Sequence, residues 1–435
     1  MSSPAALFTD RSGWAPDGPP RAVVRARTVA DVQRTLAEAS RTGTPVVTRG
    51  AGTGLAGGAV AGPEAIVLDV SGLDRILGID PVDGIARVEP GVVTAELDRA
   101  AAEHGLMYAP DPGSVAICTV GGNIATNAGG LRGAKYGVTR DSVLALDVVL
   151  ADGTLLRLGR DTVKGVVGLD LAGLVVGSEG TLGVVVGATL RLLPRPTRVT
   201  TAVAYFASVA AAAGAATALG AAGLRPAVLE LVDGKTLAAI DELRGTGHAG
   251  RGAALLLVQA DGFGAGEEIA AVAAVLGRTA RSVETTEDAG TAAALSAARR
   301  DALPAIEAKG RALIEDIAVP RSRLADAVDG VHAIAAATGT DVFVFAHAGD
   351  GNLHPIILLG PGTAPGAIPP AARRAADDIF ALALALGGTV SAEHGVGLLK
   401  RAWLERELGP DVLALQRRVK AVFDPAGILN PGKAI

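Results

Sequence analysis

The chain has 435 residues, of which 49% are hydrophobic and 20% charged, and its formal net charge is -5. This length exceeds what one hydrophobic core usually serves, so two or three domains are expected. The charges are dispersed and form no basic stripe, which argues against nucleic-acid binding. The single cysteine, Cys118, excludes a disulfide framework and a cysteine-rich metal site. Any metal must therefore be held by His, Asp or Glu.

Targeting signals are not visible in the sequence. Residues 1–18 lack a basic start followed by an apolar run, so no secretory signal is predicted. The best candidate for a membrane span begins at Ile379 and is too short to cross a bilayer. We expect no transmembrane segment and a cytoplasmic protein, free or peripheral to the membrane.

Short β-branched runs alternate with glycine-rich turns in the first 190 residues, which predicts strands separated by tight turns and two helices. The predicted strands begin at Pro45, Ala65, Ile85 and Leu144, the last starting a hairpin that turns at Asp152-Gly153, and the helices end at Gly43 and Gly105.

Two prolines in the segment RLLPRPTR, residues 191–198, predict a domain boundary. Beyond it, alanine-rich helices such as residues 207–223 alternate with strands such as residues 253–262, which predicts a sheet covered by helices. From about Ala371 the chain is mostly helical and ends in FDPAGILNPGK. No repeat of fixed period is present.

The segment RGAGTGLAGGA, residues 49–59, contains a formal GxGxxG at Gly52, Gly54 and Gly57. A Rossmann fingerprint must open a helix, whereas here Gly62-Pro63 follows and a new strand begins near Ala65. The Rossmann interpretation fails on this context. What remains is a loop of backbone amides that could form an anion nest.

Two further glycine-rich segments, residues 110–133 and 175–187, follow in the same domain. One such loop could be only a tight turn, but three together favour a long phosphate-bearing ligand.

Five motifs occur in this order: RGAGTGLAGG, PDPGS, GGNIATNAGG, KYGVTRDSV and GSEGTLG. They resemble the FAD-binding domain of the vanillyl-alcohol oxidase or PCMH-type flavoproteins. The resemblance implies that the first loop holds the FAD pyrophosphate, the second runs beside it and the isoalloxazine, and the third meets the adenosine half. Members that attach FAD covalently often carry a histidine in the first loop, where this chain has Gly52-Thr53-Gly54, so non-covalent FAD is expected. The FAD-binding residues implied are Arg49, Gly50, Ala51, Gly52, Thr53, Gly54, Leu55, Pro112, Gly113, Ser114, Thr119, Gly122, Asn123, Thr126, Asn127, Gly129, Gly130, Glu179, Gly180, Gly183, Val184 and Asn430.

Within that family, HAGDGNLH, GTVSAEHGVGLLK and FDPAGILNPGK are similar to the branch that contains D-lactate dehydrogenase, the GlcD subunit of glycolate oxidase and D-2-hydroxyglutarate dehydrogenase. The resemblance covers nearly the whole chain and implies an α+β fold. Residues 1–195 would form a PCMH-type FAD-binding domain of two α+β subdomains, and residues 196–370 a ferredoxin-like α+β cap domain. Residues 371–435 would form a helical segment that completes the active site and the FAD site.

Two of the six histidines, His347 and His354, flank the turn AGDG between two predicted strands. A lone histidine is more often structural, but a pair that a hairpin brings to one side of a turn favours a metal. With Glu393 the pair makes a set that suits zinc, iron or manganese and leaves positions open for a substrate. The resemblance assigns these three residues as ligands, and zinc is the first expectation.

His394 follows Glu393, and adjacent side chains on an extended segment point opposite ways, so His394 is expected to be free as a general base. It would take the hydroxyl proton of a metal-chelated 2-hydroxy acid while the Cα hydride moves to the flavin. Arg300, in a segment similar to the family's R-E-x-x-P region, is the candidate for the substrate carboxylate, with a solvated helix charge as the alternative. Asn352 is expected to line the pocket, and Lys400 to be a surface helix lysine.

The substrate is expected to be a monocarboxylate. Where the hydroxyglutarate enzymes have a threonine and a lysine, this chain has Pro304 and Ile314, which weakens the case for a second carboxylate. D-lactate, glycolate or a modestly larger apolar 2-hydroxy acid is favoured, with D-2-hydroxyglutarate as the alternative.

Two other classes stay open: a flavin-free two-histidine, one-carboxylate iron oxygenase, which leaves the glycine loops unexplained, and a non-catalytic flavoprotein subunit of an electron-transfer complex. No sequence motif provides for NAD, haem or iron–sulfur ligation. The electron acceptor would be oxygen, a quinone, a cytochrome or an electron-transfer flavoprotein, and a homodimer is left open.

Overall fold

The computed structural model describes residues 7–364 and 366–435, which form a mixed α+β protein. The first six residues, part of the stretch without a predicted secretory signal, lie outside the described residues. The chain divides into two compact units. Unit 1 holds the described residues up to Gly130 with Gly137–Arg195 and Glu393–Ile435, and unit 2 holds Leu131–Tyr136 and Pro196–Ala392. Within the described ranges, no helix combines the length and apolarity needed to span a membrane.

Unit 1 contains two main sheets and short helices. Its strands are β1 (Ala22–Arg25), β2 (Val46–Arg49), β3 (Ile66–Asp69), β4 (Ile76–Asp80), β5 (Ile85–Val88), β6 (Leu106–Met107), β7 (Val143–Val149), β8 (Leu155–Gly159), β9 (Val184–Arg191) and β10 (Leu193–Pro194). Its helices are α1 (Val29–Thr42), α2 (Thr94–Ala102), α3 (Val120–Thr126), α5 (Thr139–Ser142), α6 (Leu171–Val175), α14 (Leu404–Leu408) and α15 (Pro410–Phe423).

Unit 2 is built on one large sheet. Its strands are β11 (Val199–Phe206), β12 (Val228–Asp233), β13 (Ala254–Asp261), β14 (Ser282–Thr286), β15 (Ala312–Ile314), β16 (Ile317–Ala318), β17 (Asp341–His347) and β18 (Asn352–Leu358). Its helices are α4 (Gly133–Tyr136), α7 (Val209–Ala221), α8 (Gly234–Arg244), α9 (Ala265–Leu276), α10 (Ala289–Leu295), α11 (Ala297–Glu307), α12 (Leu324–Thr338) and α13 (Pro370–Ala385).

In unit 1, β1, β3 and β2 form a parallel sheet, and β4, β5, β9, β7 and β8 form an antiparallel one. The predicted helix before Gly43 is α1, which Thr28 caps with a capping box and which ends where Gly43 adopts a φ of 64°. The chain runs from β2 to β3 through a fully described loop without a helix, so the rejection of a Rossmann site is confirmed. The predicted hairpin is β7 and β8.

In unit 2 the antiparallel sheet has the order β14-β11-β13-β12-β17-β18-β15, and β16 also pairs with β18. One face packs against α8 and α11, and its core includes Val232, Phe343, Phe345 and Ile356. The loop piece Leu131–Tyr136 belongs to this unit because the Lys135 and Tyr136 side chains bind Asp261. The predicted alanine-rich helix and the strand after it are α7 and β13.

Candidate active site

His347 and His354 lie on the hairpin of β17 and β18, where His347 pairs with Asn352 and Phe345 pairs with His354. Alternate residues of a strand share a face, so the two histidines continue the apolar rows of Phe345 and Ile356. The two imidazoles are buried, and their ring centroids lie 5.0 Å apart at 86°. The predicted hairpin is confirmed, and it brings both imidazoles together on one face of the sheet.

Glu230 stands opposite His347 on the neighbouring strand β12. Its Oε1 lies 2.6 Å from Nδ1 of His347, and its Oε2 accepts a hydrogen bond of 2.6 Å from Nε of Arg299. The Arg299 guanidinium stacks on the ring of Phe345 at 4.2 Å. A buried carboxylate thus joins an arginine to the histidine pair, and sequence reasoning missed both Glu230 and Arg299.

Arg300, the predicted carboxylate-binding residue, is exposed, and its guanidinium donates to the carbonyl of Ala293. Arg299 faces inward because α11 buries Ala298, Ala302 and its neighbours on one side, and one residue further along a helix turns by about 100°. Helical periodicity was therefore the signal that could have distinguished the two arginines. The role of Arg300 stays a prediction.

Asn352, predicted to line the pocket, is buried, and its Nδ2 donates to Asp316 Oδ1 at 2.6 Å. No residue of the described ranges donates to Asn352 Oδ1. Asp316 Oδ2 accepts from the Ser391 hydroxyl at 3.0 Å and from the Ala392 amide at 2.8 Å. Asp316 therefore fixes the chain immediately before Glu393.

Glu393 and His394, both half-buried, begin the part of unit 1 that follows Ala392, in a bend instead of the extended segment expected. Glu393 lies against the second glycine loop, since a Cβ on Gly129 would be 2.5 Å from its Oε2. Glu179 accepts hydrogen bonds from the amides of Val396 at 2.7 Å and Gly397 at 2.9 Å. Both ends of the residue pair are thus anchored.

The first glycine loop suits an anionic ligand. Among the described residues, none accepts a hydrogen bond from the backbone amides of residues 51–57. Gly52 has a φ of 68°, and the Arg49 guanidinium occupies the space that a side chain there would fill. Arg49 is buried and donates to the carbonyls of Thr9 and Ala51, while burial lowers its pKa. These backbone amides and a buried guanidinium fit the diphosphate of FAD.

The second loop leads into α3, and several of its predicted ligands also hold that helix. Thr119 caps it by accepting from the Gly122 amide at 3.3 Å, and the Thr126 hydroxyl donates to the carbonyl of Gly122. Asn123 donates to Thr94 at 2.8 Å, and Asn127 ends the helix with a φ of 53°. The earlier predicted residues Pro112, Gly113 and Ser114 form the preceding turn. Their side chains therefore shape the loop, whatever they offer a ligand.

The third loop meets the C-terminal motif through Asn430, whose Nδ2 donates to the carbonyls of Gly58 at 3.0 Å and Glu179 at 2.7 Å. Glu179 has a φ of 51° and is buried, which raises the pKa of its carboxyl. Gly183 faces Val148, where a Cβ would lie 2.5 Å away, and Val184 begins the buried strand β9. Asn430 therefore ties the first and third loops together.

Two lysines of the C-terminal region are buried in unit 1. Lys400, predicted to be a surface lysine, is only 2% exposed, so that expectation is wrong: it lies close enough to Glu179 to lower the pKa of that carboxyl. Lys433, which sequence reasoning missed, donates to the Val60 carbonyl and to Asn430 Oδ1, and burial lowers its pKa to about 8. Its place in the FDPAGILNPGK motif was the available signal.

Comparison with protein families matches residues 195–434 to FAD linked oxidases, C-terminal domain, and residues 20–159 to an FAD binding domain. The chain belongs to the FAD-linked oxidase family. This FAD-linked oxidoreductase binds its cofactor through the domain that the three glycine loops predicted, which does not fit a flavin-free iron oxygenase.

Relatives of this FAD-linked oxidase include glycolate oxidase subunit GlcD of Bacillus subtilis, 41% identical over 418 residues that cover 95% of this chain and 88% of the relative. D-lactate dehydrogenase of Archaeoglobus fulgidus is 35% identical over 423 residues, 95% of this chain and 91% of that one. Both similarities extend over nearly the whole chain, as the motif resemblance did.

Among solved structures, p-cresol methylhydroxylase with substrate bound superposes with a TM-score of 0.77 at 19% identity, covering 99% of this chain and 92% of that one. The 4-ethylphenol oxidase from Gulosibacter chungangensis gives 0.72 at 20% identity, with coverages of 98% and 91%. At this identity the likeness concerns the fold alone. It confirms the predicted PCMH-type α+β fold.

Proposed function

We propose that this FAD-linked oxidase oxidises a small D-2-hydroxy acid to the 2-oxo acid with the help of a divalent metal. The observation that carries the proposal is the buried pair of His347 and His354, with Glu230 bonded to one imidazole. Relatives named glycolate oxidase subunit and D-lactate dehydrogenase support the substrate class. When bound, FAD supplies the hydride acceptor.

His347, His354 and Glu393 would hold the metal, with zinc first and iron or manganese as the other choices. Two buried imidazoles and a carboxylate form a suitable donor set, and the unused Asn352 Oδ1 beside them is a polar atom that awaits a partner. The metal would lower the pKa of the substrate hydroxyl. The protein's part is to hold the imidazoles rigidly inside the sheet.

His394 would accept the hydroxyl proton as general base, and Asn352 would bind a substrate oxygen. For the substrate carboxylate we propose Arg299 ahead of Arg300. Arg299 is bonded to the carboxylate that holds His347, whereas Arg300 is exposed and already donates to Ala293. A planar guanidinium can bind a carboxylate with two parallel hydrogen bonds.

A cavity of about 560 Å³ in unit 2 adjoins both arginines. Its floor is mainly apolar, and its volume falls in the range of roughly 300–1,000 Å³ that is typical of small-molecule sites. It favours a substrate with an apolar group larger than a methyl, and Ile314 and Leu303 supply no partner for a second carboxylate. The lining residues used here are Val228, Leu257, Ala292, Ala293, Ser296 and Arg299.

Anaerobic titration of the bound flavin with D- and L-2-hydroxy acids tests the proposal. The panel is glycolate, lactate, longer apolar 2-hydroxy acids and 2-hydroxyglutarate. We expect bleaching by D-monocarboxylates, loss of bleaching after EDTA without release of FAD, and recovery when a divalent metal is restored. Absence of bleaching by every acid with metal present would instead favour a non-catalytic flavoprotein subunit.

The electrons would leave to a cytochrome, a quinone, an electron-transfer flavoprotein or oxygen, and we propose a cytoplasmic location, free or peripheral to the membrane. Reoxidation of the bleached flavin by each acceptor class, with and without oxygen, distinguishes an oxidase from a dehydrogenase.

A further inference from the structure

We propose that Glu230 is a positioning residue that fixes two groups of the active site at once: the imidazole of His347 and the guanidinium of Arg299. This inference rests on the proposed function, because it assigns those two groups to the metal and to the substrate carboxylate. It adds a residue that no sequence motif in the chain marks.

The geometry divides the carboxylate between its two partners. Oε1 lies 2.6 Å from His347 Nδ1, and Oε2 lies 2.6 Å from Arg299 Nε. The side chain of Glu230 is 0% exposed, against 8% for His347 and 14% for Arg299. Water therefore cannot substitute for either partner without opening the sheet.

The contact with Glu230 selects the tautomer of His347. A carboxylate paired with a guanidinium is ionised and only accepts hydrogen bonds, so Nδ1 of His347 carries the proton. The lone pair is then on Nε2, the nitrogen left to coordinate a metal. Metal-binding histidines commonly donate their other N–H to a carboxylate, which fixes the ring and increases its basicity.

The same carboxylate orients Arg299. Its Nε is engaged by Glu230 and its plane stacks on Phe345 at 4.2 Å, while the two Nη nitrogens have no acceptor among the residues described. These two nitrogens form the end of the guanidinium that can take a carboxylate in a bidentate manner. Arg299 also lines the cavity that we assign to the substrate.

The location of Glu230 argues against a purely structural carboxylate. On β12 the same face carries Val228 and Val232, both buried, so an apolar residue would satisfy the packing. Burying an ion pair costs more free energy than a well-packed apolar group of similar volume would. The charge is explained by what its two partners do.

Glu230→Gln separates the two contacts. The amide has the size of the carboxylate but offers one acceptor and one donor, so it cannot accept from both His347 Nδ1–H and Arg299 Nε–H. With FAD-bound full-length protein, we expect zinc affinity in equilibrium dialysis to fall about 10–100-fold. We also expect KM for the best hydroxy acid to rise, with unchanged FAD content. The control is Glu284→Gln, the same change on β14 of the same sheet, where the carboxylate pairs with Arg251 on the surface.

A second measurement needs no variant that must fold. In protein labelled with ¹⁵N-histidine, we expect His347 as the Nδ1–H tautomer, with a strongly downfield Nδ1 proton. Zinc affinity in Glu230→Gln within threefold of wild type, or an Nε2–H tautomer for His347, would overturn the positioning role while leaving the proposed function intact. Failure of the wild-type protein to bind zinc, iron or manganese would overturn the metal site itself, and this inference with it.

Discussion

The imidazoles of His347 and His354 lie 5.0 Å apart between ring centroids and are nearly perpendicular, although they come from two strands joined by a turn. The register that pairs Phe345 with His354 places both rings on the face covered by α8 and α11. A one-residue slip of the hairpin would turn one histidine to the opposite face. The hairpin register is therefore what creates the donor pair.

His354→Gln tests the metal site. We expect the variant to lose most of its bound metal and its substrate-driven flavin bleaching, while retaining FAD, because the glycine loops belong to unit 1. Metal analysis and flavin absorbance of the same preparation measure both. His332→Gln is the matched control, since His332 is a histidine of unit 2 that pairs with Asp233 and lies away from the hairpin turn. Equal metal content in the two variants would contradict the assignment.

Replacing each arginine by lysine distinguishes Arg299 from Arg300. Lysine keeps the charge but cannot make the planar bidentate contact. We expect Arg299→Lys to raise KM by about tenfold or more, since a charge-assisted hydrogen bond contributes roughly 1.5–3 kcal/mol. Arg300→Lys should change KM less than about twofold, as expected of an exposed side chain. Steady-state kinetics with the best substrate decide the matter, and the reverse order would restore the prediction made from sequence for Arg300.

His394→Gln tests the general base. We expect FAD to remain bound and flavin reduction to slow by about 10²–10⁴-fold, the usual loss when a general base is removed. Stopped-flow reduction under anaerobic conditions gives the rate directly. Metal content serves as the internal control, because a ligand would lose metal whereas a base would not. A reduction rate near that of wild type would assign the proton to another acceptor.

Lys433 predicts a pH dependence of stability. Burial lowers its pKa to about 8, below the value near 10.4 of an exposed lysine, so the folded state releases this proton first. Below pH 8 the buried charge is fully destabilising, and the penalty declines as pH rises from 8 to about 10.4. Between these limits the free energy of unfolding of wild type should gain on that of Lys433→Met by on the order of 3 kcal/mol.

Urea denaturation at several pH values measures this difference. Lys164→Met, which changes an exposed lysine of unit 1, is the control and should keep a constant difference from wild type. A difference for Lys433→Met that is equally flat between pH 8 and about 10 would contradict a depressed pKa.

The sequence by itself determined the local features of this protein. Periodicity and turn residues located α1, the β7–β8 hairpin and the β17–β18 hairpin, because these depend on neighbours in the chain. The three glycine loops and the C-terminal motifs determined the FAD-linked family for the same reason. Spacing alone was also enough to reject a Rossmann site, since too few residues separate β2 from β3 for a helix.

Only the tertiary structure decided which side chains meet. It turned Arg299 inward and Arg300 outward, buried Lys400 and Lys433, and placed Glu230 against His347 from a strand more than one hundred residues away. Such pairings depend on strand order and on which face of a helix packs, and both are set by burial of apolar surface over the whole unit. The sequence therefore supplied the imidazoles, and the sheet supplied the carboxylate that orients one of them.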